Sequence, residues 1–162
     1  MNYWKLGCRW YTNAPLFFDY LVNNKIVISW TDKKFGINDI VLLTDGYTAI
    51  GIARVKSNPI SIVDLPHYKN DFDELEIPSN DKNLLVFDAE FYELNEKDQF
   101  LYKLQPGIRQ IQKQEIIDII NKLIISNKKM AQIEDKIKLL KYKKQIILQG
   151  PPGTGKTREA KL

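Results

Sequence analysis

Close to its C-terminal end the chain reads Gly150-Pro-Pro-Gly-Thr-Gly-Lys-Thr157, which fits the phosphate-loop pattern GxxxxGK[ST]. The residue types suit a nucleotide. Gly150, Gly153 and Gly155 let backbone N–H groups converge on phosphate oxygens, Lys156 reaches the terminal phosphates, and the Thr157 hydroxyl holds magnesium. An apolar strand, QIILQ, runs into the loop and TREAKL follows as the start of a helix, which is the context such a loop needs. Phosphoryl transfer also requires an acidic residue on a later strand to hold the metal and orient water. The 162 residues supply no such strand, so the expectation is a piece of a longer protein cut just inside its motor domain. ATP or GTP with magnesium then belongs to the parent protein, and the piece itself needs no cofactor. A catalytic site or metal centre elsewhere is not expected either: one cysteine (Cys8) and one histidine (His67) make no Cys/His zinc set, and no Ser/His/Asp set forms around His67.

Chemistry carried by residues 1–110 must be positioned by a different kind of element. Asn2–Leu6 reads as a strand, and Pro15 suits the first turn of a helix through LFFDYLVNN. KIVISW and FGINDIVLLTDG are strands, the second ending in the turn signal Asp45-Gly46, and YTAIGIARVKS is its hairpin partner, with Gly51 marking a bulge or close backbone approach. Residues 57–83, rich in Pro, Asp and Asn, show no sustained period and read as a long excursion. LLVFDAEFYEL and FLYKL return as strands before Pro106-Gly107 breaks the chain. Isoleucines and leucines at helical spacing in KQEIIDIINKLII predict a helix, Ser126-Asn127-Lys128-Lys129 a hinge, and QIEDKIKLLKY a second helix. The expected domains are therefore residues 1–110, a helix and linker at 111–128, and the truncated motor start at 129–162.

The formal net charge of +4 is unevenly divided. Residues 1–60 carry 7 basic and 4 acidic groups, residues 61–110 carry 5 and 11, and residues 111–162 carry 12 and 5. A nucleic-acid partner would have to meet basic groups gathered on one face, because general attraction to the whole of residues 1–110 is absent. No apolar run approaches the roughly 20 residues of a membrane span. The single cysteine and the polar, aromatic start MNYWKLGCRWYT fit a cytoplasmic protein, with no membrane partner.

Two resemblances sharpen this reading. KKQIILQGPPGTGKT resembles the start of the AAA+ domain of McrB-type proteins, the nucleotide-driven motors of modification-dependent restriction systems. NYWKLGCRW, DIVLLTDGYTAIGIARVKS and LYKLQPGIRQIQKQEIIDIINKL resemble the opening strand, the central hairpin and the closing strand, turn and helix of EVE and YTH domains in the PUA-like superfamily. The resemblance implies an α+β fold, a small curled mixed sheet or barrel with flanking helices. It implies recognition of DNA carrying a modified base, first methylated or hydroxymethylated cytosine and second N6-methyladenine, by swinging the base into an aromatic pocket. The parent would assemble as an AAA+ ring with an McrC-like nuclease subunit, while the piece, lacking the ring surfaces, is expected to be monomeric. A protein- or RNA-binding regulatory module is the competing expectation, kept open by the acidic 61–110 region.

The candidate pocket residues follow. Trp10, between Arg9 and Tyr11 at a strand end, is the leading wall. Trp30 closes KIVISW and can face a cleft, whereas Trp4 sits in a strand interior, where core packing is the favoured role. Tyr47 stands at a hairpin tip. Tyr68 and Phe72 are aromatics in a polar stretch, either lid residues or anchors that tack the loop to the body. Asp45 and Asp64 can accept from an exocyclic amino group, though each is also a turn former. Arg109, after Gly107, matches the turn that approaches the pocket in the resembled domains. Arg9, Lys33, Lys34, Arg54 and Lys56 are the candidates for phosphate contact.

Overall fold

The computed structural model describes residues 1–11, 13–103 and 107–143. The phosphate loop, with Gly150, Gly153, Gly155, Lys156 and Thr157, and the QIILQ strand before it lie outside the described residues. The chain divides into two compact units, Met1–Ile125 and Ser126–Leu162.

The first unit is built on a mixed sheet. β1 (Tyr3–Gly7), β2 (Ile26–Trp30), β3 (Ile40–Asp45), β4 (Thr48–Val55), β6 (Leu84–Glu93) and β8 (Ile108–Gln110) run in the order β2-β6-β4-β3-β1-β8. Short β5 (Ile60–Ser61) pairs with β6, and β7 (Phe100–Leu101) pairs with β4. All pairings are antiparallel except β1 with β3, which run parallel with Tyr3 opposite Ile40 and Gly7 opposite Thr44. Alternation of side chains along the strands makes two apolar layers, one on each face. One holds Leu6, Val41, Leu43, Ala53, Phe87 and Phe17. The other holds Tyr3, Ile40, Leu42, Ile52 and Tyr92 with Ile120 and Ile124 of α3 (Gln114–Lys143). This is an α+β arrangement, a curled mixed sheet with a closing helix, as the resemblance noted in the sequence implies.

A parallel pair cannot be closed by a hairpin, so a separate device has to hold β1 on β3. Asp39, 3% exposed, supplies it. Its carboxylate accepts from the Asn2 N–H at 2.6 Å, the Trp4 indole N–H at 3.0 Å and the Gly36 N–H at 2.9 Å. Burial pushes its pKa up, but the three donors outweigh burial and hold it below the usual carboxylate value.

Several local expectations are corrected. α1 begins at Phe18 and runs to Asn24, leaving Pro15 ahead of it. The Ala14 N–H is used by Tyr11 O and the Phe17 N–H by Cys8 O, so residues 14–17 make a turn against the exit of β1. The excursion is ordered rather than featureless. It contains β5, two 3-10 turns and α2 (Lys69–Glu74), fastened by the buried side chains of Ile62, Phe72 and Ile77. The expected hinge at 126–129 falls where the two units divide, and α3 is helical through those residues, since Ser, Asn and Lys weaken a helix by only tenths of a kcal/mol each and neither Gly nor Pro interrupts. β8 has no counterpart in the strand prediction; three residues after a Pro-Gly break carry too little pattern, and pairing with β1 makes the strand. The bulge reading at Gly51 holds. Leu43 pairs with Gly51 and Thr44 with Ala49, so Ile50 is the extra residue. A Cβ on Gly51 would come within 2.5 Å of the Phe18 ring.

Two outcomes test this scaffold by urea unfolding. Gly51→Val should cost about 1–3 kcal/mol by forcing α1 off the sheet; a neutral result would contradict the contact with Phe18. Asp39→Ala should cost about 2–4 kcal/mol by leaving three donors without their acceptor. Because the folded carboxyl is lowered, its stabilisation is present above the unfolded value of about 3.9 and lost as pH falls through the folded value. The wild type should therefore lose an increment of stability in that acid range that Asp39→Ala does not lose.

Candidate functional site, an aromatic corner at the end of the curled sheet

Curling of the sheet brings the exits of β1 and β2 together, although these strands are not neighbours in it. Trp10, three residues beyond β1, lies 6.0 Å from Trp30, the last residue of β2, with the rings inclined at 51°. Phe17 packs under Trp10 at 5.5 Å and is fully buried, while both tryptophans are half-buried. The three rings form a corner, not a slot. A base held between two indoles needs roughly 7 Å, twice the ~3.5 Å contact distance of carbon atoms.

The backbone that carries Trp10 is fixed on both sides. Arg9 donates from Nε to Asp45 Oδ1 at 2.6 Å and from its second terminal nitrogen to Asp45 Oδ2 at 3.2 Å, and from Nη1 to Ala14 O at 2.8 Å. The Asp45 hydrogen bond raises the Arg9 pKa, so the guanidinium remains charged. Tyr11 donates to the Glu76 carboxylate at the end of the excursion. Upstream, the Cys8 N–H donates to Thr44 O at 2.8 Å. Cys8 itself is buried, and burial pushes its thiol far above the usual range, so it is inert as a nucleophile. The Trp10 side chain is less settled. Its Nε1 is buried and finds no acceptor among the described residues, a condition shared with Thr44 Oγ1. An unmet buried donor of this kind costs about 1–3 kcal/mol.

The other candidate residues divide clearly. Arg9 and Asp45 stand beside the corner but are spent on each other, so neither a free phosphate contact by Arg9 nor amino-group recognition by Asp45 is arranged. Lys33 and Lys34 come three and four residues after Trp30. Lys33 lies 3.8 Å from Asp32, and Lys34 is exposed. Trp4 is committed to the interior edge, with its N–H on Asp39 and its ring 5.5 Å from Phe35. Phe72 is a core residue, fully buried, and Tyr68 stacks on it at 5.7 Å. With Tyr20, whose hydroxyl donates to Asp71 at 2.9 Å, these rings tack the excursion down and do not form a lid. Tyr47 is exposed at the hairpin tip and Asp64 on the excursion, and among the described residues neither has a ring contact or hydrogen bond to either tryptophan.

Arg54 and Lys56 lie across the sheet from the corner. Arg54 donates to the Tyr92 hydroxyl at 3.4 Å, on the face that packs α3, and Lys56 pairs with Glu90 at 2.7 Å. The Gly107 turn does reach the exit of β1, through Gly7 N–H to Gly107 O at 3.3 Å. Strand β8, however, sets Arg109 opposite Lys5 and in step with Ile111, again on the α3 side. Two residues escaped the sequence reading. Phe17, assigned to the helix core, is also the floor of the corner. Lys5 is fully buried in mid-strand, and burial lowers its pKa.

No protein-family model and no curated protein matches this chain. Among solved structures, a mutant ZmASCH protein from Zymomonas mobilis is similar in chain path, with a TM-score of 0.49 and 8% identity over 74% of this chain and 95% of that one. The chemistry of the corner has to be argued from its own residues. Among the described residues no group of three or more His, Cys, Asp and Glu side chains could hold a metal ion, and no helix is long and apolar enough to cross a membrane.

The corner makes a prediction about its floor and its wall. Phe17→Ala should cost about 3–5 kcal/mol in urea unfolding, as for a fully buried ring, and Trp30→Ala less, because part of its surface is already exposed. Equal losses would make Trp30 a core residue and remove it from the site.

Proposed function

We propose that the first unit is a non-catalytic reader of modified bases in DNA, serving as the specificity domain of an McrB-like restriction NTPase. One observation carries the proposal. Trp10 and Trp30, twenty residues apart in sequence, meet at 6.0 Å at a strand-end edge where each keeps part of its surface exposed. A buried indole N–H normally finds an acceptor, as that of Trp4 does in Asp39, whereas Trp10 Nε1 has none among the described residues. A partly exposed indole offers a π-face to a base swung out of its strand, and stacking of this kind is worth about 1–3 kcal/mol.

Modification adds to that. A methyl group on the base increases apolar area and displaces no hydrogen bond, so it gains about 0.8 kcal/mol on burial against the rings. Lys33 and Lys34, three and four residues past Trp30, are the nearest of the phosphate-contact candidates to this edge along the chain after Arg9, whereas Arg54, Lys56 and Arg109 face the other way. Modified cytosine is the first choice of base and N6-methyladenine the second. In the longer parent, the phosphate loop would bind ATP or GTP with magnesium, and cleavage would belong to a separate nuclease subunit.

Titration of intrinsic Trp fluorescence with short duplexes tests this. The duplexes differ at one position only: cytosine, 5-methylcytosine, 5-hydroxymethylcytosine, adenine or N6-methyladenine. Quenching by one modified duplex at about fourfold or more higher affinity than by its plain twin is the expected result, fourfold being the burial of one methyl. Equal binding to all five that weakens steeply with salt would reduce the interaction to phosphate contact and sink the proposal.

A further inference from the structure

Asp45 is one of two carboxylates that the sequence offers as acceptor for an exocyclic amino group, and the fold has given both of its oxygens to Arg9. What the corner holds in reserve is a donor. Trp10 Nε1 is buried with no acceptor among the described residues, although almost every buried donor in a folded protein finds one. Indole N–H can only donate. The backbone on either side is tied down, by Arg9 to Asp45 and Ala14 O and by Tyr11 to Glu76, so any rearrangement of this segment falls to the Trp10 side chain.

A base cannot enter between rings 6.0 Å apart unless one of them turns. Turning Trp10 does two things at once. It opens a stacking face beside Trp30, and it uncovers the N–H that the closed arrangement leaves unmet. We infer that the Trp10 indole N–H is the base-reading donor of this site, taking an acceptor atom of the swung-out base, a ring nitrogen or carbonyl oxygen, in place of recognition through the base's amino group. The inference rests on the base-reading proposal above and adds to it the identity of the reading atom and the polarity of the edge it reads.

Indole N–H signals in a ¹H–¹⁵N correlation spectrum test this on the full chain. Trp4, Trp10 and Trp30 give three such signals, assigned by Trp→Phe substitution one at a time; should Trp10→Phe fail to fold, the other two assign it by elimination. Titrated with the tightest-binding duplex of the five above, the Trp10 signal should move downfield as its proton gains an acceptor. The same duplex with an abasic site at that position should leave it in place. Replacing Trp10 by 3-benzothienylalanine, which keeps the bicycle and removes the N–H, should weaken binding of the modified duplex by about three- to tenfold, the range of one neutral hydrogen bond. A Trp10 signal that stays put while a modified duplex binds selectively, or an equal movement with the abasic duplex, would overturn the inference and leave base reading standing. If none of the five duplexes is distinguished from its twin, the base-reading proposal itself falls and this falls with it.

Discussion

A strand pair that runs parallel has to be joined by a crossover, and in this protein the crossover carries the site. Residues 8–39 leave the end of β1, form the Trp10 segment, α1 and β2, and come back to begin β3 alongside the start of β1. The Asp39 carboxylate binds the Asn2 and Gly36 amides and the Trp4 indole, and so closes that loop of chain where it returns. Everything at the other end follows from it. With β1 and β3 in register, Cys8 meets Thr44, Arg9 meets Asp45, and Trp10 is delivered to the edge where β2 also ends. A carboxylate at one end of the sheet thus sets the position of an aromatic pair at the other.

The corner contrasts rigid backbone with an unsettled side chain. Arg9 and Tyr11 hold the main chain on both sides of Trp10, and Phe17 holds the ring from below, yet the indole N–H remains without an acceptor and the ring leans on Trp30 at an angle. Packing alone would be served better by a residue without a polar atom there. Sites that bind ligands are places where local rules of this kind are broken. The second difference from a pure packing arrangement is charge. Of the basic groups that the sequence offered for phosphate, Arg9 is paired with Asp45, Arg54 and Lys56 are turned to the helix-bearing face, and Lys33 and Lys34 follow Trp30 within four residues, with Lys33 3.8 Å from Asp32.

Much of the fold could be read from sequence because it is written in local signals. Alternation in KIVISW and DIVLLT, the Asp45-Gly46 turn, and the Gly51 approach all concern residues within a few positions of each other. The failures have a common origin in distance along the chain. β8 is too short to show a pattern and exists because β1 accepts it; the excursion is ordered because Phe72 and Ile62 reach a core made elsewhere; Asp39 looks like a turn residue until its donors are in place. The site shows the same limit. Trp10 and Trp30 were legible as candidates from their positions at strand ends. Which aromatics meet, and that Arg9 would consume Asp45, depends on the curl of the sheet and on strand parity, and neither is expressed in any short stretch of residues.

The place of β1 in the sheet also governs the order in which the chain can be completed. Its two partners are β3, which begins at Ile40, and β8, which ends at Gln110. β1 can pair with β3 once the chain has reached Asp45, and Trp4 and Trp10 find Asp39, Phe17 and Trp30 by then, but the other edge of β1 waits for β8, which is complete only at Gln110. The rings of the corner are thus all present early, while one flank of the strand that leads into them stays an open edge until this unit is nearly made.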